Sequence, residues 1–174
     1  MAALSRFISR LGEKALPLFR LLRRTEHFEW MDAATAGLEE IKAILATNPV
    51  LVAPNLGKPM LLYIAATHQV VSAVLVVERE TEGHKFPLQK LVYYVSTVLT
   101  PCKSRYPHYQ KIAYAVFMAS RKLRHYFQEC SITVASEVPL NDIMNNCDAM
   151  SRIAKWAIEL LPLYITYKPR RYIK

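Results

Sequence analysis

Hydrophobic and polar positions change their period several times along the chain, and each change predicts an element. Near the start, Leu4, Phe7, Ile8 and Leu11 recur at helical spacing, which predicts a short amphipathic helix over 2–11. Gly12 separates it from a second short helix around 16–24. Phe28, Glu29 and Trp30 read as a break with an aromatic anchor. Asp32 then opens a helix to about Thr47 that carries Leu38, Ile41 and Leu45 on one face. Asn48 and Pro49 close it, because proline disfavours a helical residue before it. Val50–Ala53 is a short apolar strand or extended segment.

The period then shortens. Residues 60–66 and 70–78 read as two strands joined by the polar turn Thr67, His68, Gln69, and a third strand covers about 89–96. All three are rich in valine, leucine and tyrosine; valine and tyrosine favour a pleated, half-buried surface. The longest helix is predicted over 107–126, with Ile112, Ala115, Val116, Ala119 and Leu123 on its buried stripe. A fourth strand at Ser131–Ala135, helices at 139–147 and 150–161, and a last strand at Leu163–Tyr167 complete the order. The order is β-β-β-α-β-α-α-β, an α/β pattern after an N-terminal helical arm.

Composition fits one globular domain plus appendages: of 174 residues, 52% are hydrophobic and 21% charged. No apolar stretch reaches the ~18 residues of a membrane span, so no membrane partner is expected. The net charge of +9 resides at the two ends. Residues 1–24 hold six basic side chains against Glu13 alone, residues 168–174 hold four and no acid, and the body between is neutral. Basic ends suit nucleic-acid phosphates or acidic lipid, or simply solvate a helix face and a terminus. Cys102, Cys130 and Cys147 show no metal-binding spacing and fit free thiols in a reducing compartment. That is compatible with an intracellular location, cytoplasm or nucleus, and the sequence does not fix which compartment. The arginines and serines of the first ten residues have transit-peptide chemistry, but Glu13, Gly12 and Pro17 interrupt it.

Several strings agree in order and spacing with one known family. They are Ala3-Leu-Ser-Arg-Phe-Ile-Ser-Arg10, Val70-Val-Ser-Ala-Val-Leu-Val-Val77, Arg105-Tyr-Pro107, Ala119-Ser-Arg-Lys-Leu-Arg-His-Tyr-Phe127, Arg152-Ile-Ala-Lys-Trp-Ala-Ile-Glu-Leu160 and Tyr167-Lys-Pro-Arg170. Together they resemble the polymerase-to-ribonuclease H region of gypsy-type LTR retrotransposon polyproteins, in the form found in plant elements. The resemblance implies that residues 1–30 are a remnant of the reverse transcriptase thumb and connection. It implies that 31–174 are a ribonuclease H-like domain lacking its final helix, an α/β fold with a mixed five-stranded sheet flanked by helices.

Such nucleases cut the RNA strand of an RNA–DNA hybrid with two metal ions held by clustered carboxylates. At the positions implied by the resemblance, this chain has mostly lost them. The first strand of active relatives reads L-E-T-D-A-S, and here Ala65 stands at the aspartate. The long helix usually carries H-E-K-E-L, and here Gln110 and Ile112 replace both glutamates. Only Glu137, at the end of the fourth strand, is acidic. Hard divalent cations bind through oxygen ligands; one carboxylate cannot replace four, so no catalytic residue set is intact. No metal site and no cofactor are expected, with Mg2+ relevant only to a residual nuclease.

Nucleic-acid contact is a separate matter. Lys103, Arg105, Lys111, Arg121, Lys122 and Arg124 lie in an acid-free stretch interleaved with Tyr106, Tyr109, Tyr114, Phe117 and Tyr126. These cations are the candidate nucleic-acid-binding residues, suited to salt-sensitive, sequence-independent phosphate contact. The reading is a catalytically degenerate connection module that binds RNA–DNA template–primer, partnered with the polymerase and downstream polyprotein domains. The alternatives are a weak metal-dependent hybrid nuclease using Glu137, and a non-functional retroelement fragment.

Overall fold

A computed structural model describes residues 5–22, 29–47, 51–55, 57–80, 82–83, 86–145 and 151–170. Readings that fall on Asn48–Val50, Phe28 or Cys147 lie outside the described residues. The elements are α1 (Leu11–Lys14), α2 (Leu16–Leu22), α3 (Asp32–Ala46), β1 (Met60–Ala66), β2 (Val70–Arg79), β3 (Leu88–Val98), α4 (Pro101–Ser104), α5 (His108–Lys122), α6 (Arg124–Glu129), β4 (Ile132–Ser136), α7 (Leu140–Asn145), α8 (Ser151–Leu160) and β5 (Ile165–Pro169). The five strands form one sheet in the order β3-β2-β1-β4-β5. β1–β2 and β2–β3 run antiparallel, β1–β4 and β4–β5 parallel. The predicted mixed five-stranded sheet flanked by helices is the observed one.

Alternation along β1 and β2 turns Met60, Leu62, Ile64, Val71, Ala73, Leu75 and Val77 into one core with Ile112, Ala115, Val116 and Ala119 of α5. The helix meets the sheet through alanines as well as large side chains, so its backbone approaches closely. All five stripe residues predicted for it are buried. β2 is the best-buried strand, because it has neighbours on both edges and apolar cover on both faces.

A second apolar cluster stands apart from this core: Ile8, Leu11, Ala15, Leu18, Leu21, Ala34 and Ile41. It unites the N-terminal arm with α3. The arm meets the sheet on the face away from α5, at Gly12. The Gly12 N–H donates to Ser96 Oγ at 3.0 Å, and a Cβ there would lie 2.8 Å from Ser96 Oγ and 2.9 Å from Val70 Cγ1.

Three expectations need correction. No helix covers 5–10: these residues turn, Arg10 is left-handed at φ 53°, and the helix begins at Leu11. The Arg6 carbonyl instead accepts the Tyr94 N–H at 3.2 Å, so that backbone serves the edge of β3. The long helix over 107–126 is two helices, broken at Leu123, whose φ −112° and ψ 31° are not helical. β5 starts two residues later than predicted, because the chain first turns (Leu163 N–H to Leu160 O, 3.0 Å) before Ile165 pairs with Ile132. Of the two readings of the segment before β1, the strand is not found: residues 51–53 lie outside the five strands, and the Val52 N–H donates to Leu91 O at 2.8 Å. The short helix α4 was not foreseen. Among the described residues no helix is long and apolar enough to cross a membrane.

Gly12→Ala should push the arm off the sheet. The expected cost is about 1–3 kcal/mol, the usual range for forcing atoms into a packed contact. Urea unfolding measures it, and an unchanged midpoint would contradict this docking.

Candidate functional site

The C-terminal ends of β1 and β4 and the N-terminus of α5 converge at one edge of the sheet. Parallel pairing sets Tyr63 opposite Ala135, so Ala65 and Glu137, each two residues further on, lie level at this end. Two contacts bring α5 to the same place. His108 Nε2 lies 2.6 Å from Glu137 Oε1, and Lys111 Nζ donates to the His68 carbonyl in the β1–β2 turn at 3.2 Å. Ala65 is exposed, Glu137 is exposed, and Gln110 is buried in the first turn of α5. Ile112 is wholly enclosed in the main core.

The chemistry of this edge follows from those side chains. Ala65 offers no donor atom. Ile112 spends its side chain on packing. Gln110 Nε2 is buried with no hydrogen-bond partner among the described residues, and its amide oxygen is a neutral ligand where a two-metal site needs clustered carboxylates. The Glu137 carboxylate accepts from His108, a residue the sequence reading passed over. Among the described residues no three His, Cys, Asp or Glu side chains cluster to hold a metal ion. The residues present do not fit a two-metal centre, and no step is derived through one.

The six candidate nucleic-acid cations do not share one environment. Lys111 is buried with its ammonium on the His68 carbonyl. Lys122 reaches the Ser96 carbonyl at 3.1 Å and Thr97 Oγ1 at 2.8 Å, and burial lowers its pKa. Arg121 forks onto Glu159 (2.6 and 3.0 Å), which raises the arginine's pKa and lowers that of the glutamate. Arg105 and Arg124 are exposed. Lys103 donates to Tyr114 Oη at 2.9 Å while its ammonium sits 4.4 Å from the centre of that ring.

That last contact belongs to a cluster that period and composition did not reveal. Trp156 of α8 packs against Tyr106, Tyr114 and Phe117, with ring centres 6.3, 5.5 and 5.7 Å away. Arg121 lies over Phe117 at 4.6 Å, and Arg152 over Tyr106 at 5.4 Å. The signal available was the helical spacing of Arg152 and Trp156. On the other side of the edge, β5 and α7 enclose a cavity of about 370 Å³ lined by Glu137, Leu140 and Tyr167 among others. Burial pushes the Tyr167 phenol up to about 12.

Residues 30–134 match the family described as the RNase H-like domain found in reverse transcriptase, and the chain belongs to that family. Among curated proteins it is 24% identical over 161 residues to the retrovirus-related Pol polyprotein from transposon 297 of Drosophila melanogaster, covering 89% of this chain and 14% of that protein. It is 25% identical over 173 residues to the transposon Tf2-3 polyprotein of Schizosaccharomyces pombe, covering 95% and 13%. The chain thus spans about one-seventh of the curated relatives it matches. Among solved structures it resembles the foamy viral protease-reverse transcriptase in complex with double-stranded DNA (TM-score 0.77, 19% identity, 99% of this chain and 31% of that one). It also resembles the same kind of protein in complex with an RNA/DNA hybrid (TM-score 0.76, 20% identity, 98% and 23%). This protein is therefore an RNase H-like domain of the retrotransposon and retroviral reverse transcriptase type.

Two measurements probe the site. Gln110→Leu removes an unsatisfied buried amide, whose desolvation costs roughly 1–3 kcal/mol, so its thermal midpoint should equal or exceed the parent's; a clear loss would mean the amide is satisfied. Tyr167 binds its proton more tightly folded than unfolded. Its contribution is complete below the unfolded pKa near ~10 and is lost as pH rises towards 12. Tyr167→Phe should therefore flatten the fall in stability across that window, and an unaltered profile would contradict the burial.

Proposed function

We propose that this domain is a catalytically degenerate connection module of a retrotransposon reverse transcriptase, which holds RNA–DNA template–primer without cutting it. The observation that carries this reading is the contrast between the core and the edge. The sheet and α5 are intact to the last buried residue, while the edge where ligands would converge presents Ala65, a partnerless Gln110 amide and a Glu137 held by His108. A fold kept after its metal ligands are gone still has a surface, and the exposed cations around α4, α5 and α8 supply phosphate-binding chemistry. The foamy viral relatives of the same fold, in complex with double-stranded DNA and with hybrid, support nucleic acid as the ligand. On this reading residues 1–30 derive from the polymerase thumb and connection. The rest is a ribonuclease H-like unit of the gypsy type found in plants, acting beside polymerase and downstream domains. It needs no Mg2+.

The test is fluorescence anisotropy of the full chain with a labelled RNA–DNA hybrid over a salt series. Binding whose logarithm falls linearly with the logarithm of salt concentration is expected. Absence of binding at low salt would refute the connection role.

A further inference from the structure

The nucleic-acid surface can be located more narrowly than by counting cations. Of the seven cations Lys103, Arg105, Lys111, Arg121, Lys122, Arg124 and Arg152, three are fastened to carbonyls, a hydroxyl or a carboxylate. Lys111 is buried on a carbonyl, Lys122 is exposed and donates to a carbonyl and a hydroxyl, and Arg121 is neutralised by Glu159. Of the other four, Lys103, Arg105 and Arg152 lie beside the aromatic row, with one Lys103 donor on Tyr114 Oη. Lys103 lies on the face of Tyr114 and Arg152 on the face of Tyr106, and both rings pack against Trp156 between them. Arg105 is exposed one residue before Tyr106.

We infer that Lys103 and Arg152, seated on the Tyr106–Trp156–Tyr114 row, form the phosphate-binding contact of this domain for the backbone of a nucleic-acid duplex. The inference rests on the connection reading and deepens it. A cation lying on a ring is held by the ring's quadrupole without losing its charge. Its donors that face away from the ring are free for an anion, and the side chain has already lost much of the freedom that binding would otherwise cost. The planar guanidinium fork of Arg152 suits two oxygens of a phosphate, and the ammonium of Lys103 acts as a point charge. Two such cations, carried by different elements and fixed by one rigid aromatic cluster, suit successive phosphates on a strand. Contacts to phosphate carry no sequence information, so this contact is sequence-independent. Glu159 at the Phe117 end marks where the row ceases to be positive.

The experiment compares the full chain with Lys103→Gln/Arg152→Gln by hybrid anisotropy from 50 to 300 mM KCl. Lys58→Gln/Lys90→Gln, two exposed cations on the strand side, is the control, and Arg152→Gln alone covers any disturbance of Tyr114. Each duplex phosphate contact contributes about 0.9 to the slope of log K against log salt, so the double variant should lose about 1.8 in slope and roughly tenfold or more in affinity. The single variant should lose half that slope, and the control none. If the parent binds and the double variant keeps its slope and affinity, the aromatic-backed pair is not the contact, and the connection reading stands. If the parent binds no hybrid, both fall. If poly-glutamate competes as well as hybrid at equal charge, the surface is a docking site for acidic protein and the inference is overturned.

Discussion

Helix α5 lies across β1 and β2 with Ile112, Ala115, Val116 and Ala119 enclosed against Leu62, Ile64, Ala73 and Leu75. Everything else in the sheet domain takes its place from that contact. Alanines on the helix let it sit close enough for Ile112 and Val116 to fill the space above the strands. A large-to-small change at a site such as Ile112 would cost about 2–5 kcal/mol, a large part of a domain's total stability. The same helix sends His108 to the end of β4, Lys111 to the β1–β2 turn, Lys122 to the end of β3 and Tyr114 to Trp156. Its polar side chains are therefore mostly fastenings of the fold.

On the proposed reading, this arrangement is how the fold would persist without metal ligands at that edge. Ile112 stands where the resemblance placed a glutamate, yet it is one of the largest fully buried side chains. A carboxylate there would need partners in an apolar core, since burying an unpaired charge is far costlier than burying an isoleucine. Glu137 contacts His108 at 2.6 Å, an exposed contact of small energetic weight that joins α5 to the end of β4.

The first three strands were legible in the sequence because they are long apolar runs bounded by a polar turn and a polar loop; β1, β2 and β3 fall within two residues of their predicted limits. The buried stripe of α5 was legible for the same reason, helical period sustained over four turns. What failed was decided by tertiary contacts. Helical spacing at Phe7 and Ile8 is also satisfied by a turn whose carbonyl at Arg6 meets β3, and nothing local announces the left-handed Arg10. The break at Leu123 hides because Leu123 keeps the apolar period through it. β5 begins where parallel pairing with β4 allows, not where the apolar run begins. At the candidate site, Ala65, Gln110 and Ile112 were singled out through the resemblance alone. The His108–Glu137 pair joins residues 29 apart, and the aromatic row joins the α4–α5 link, α5 and α8, so no window of sequence contains either.

The central claim is that the fold persists without its cleavage chemistry, and it is tested most directly by a single-turnover assay. End-labelled RNA in an RNA–DNA hybrid is incubated with saturating full-length chain in Mg2+ and then in Mn2+, and the products are resolved by size. The account predicts intact RNA in both metals at protein concentrations where the hybrid is fully bound. Cleavage that a chelator abolishes and that disappears in Glu137→Gln would contradict it.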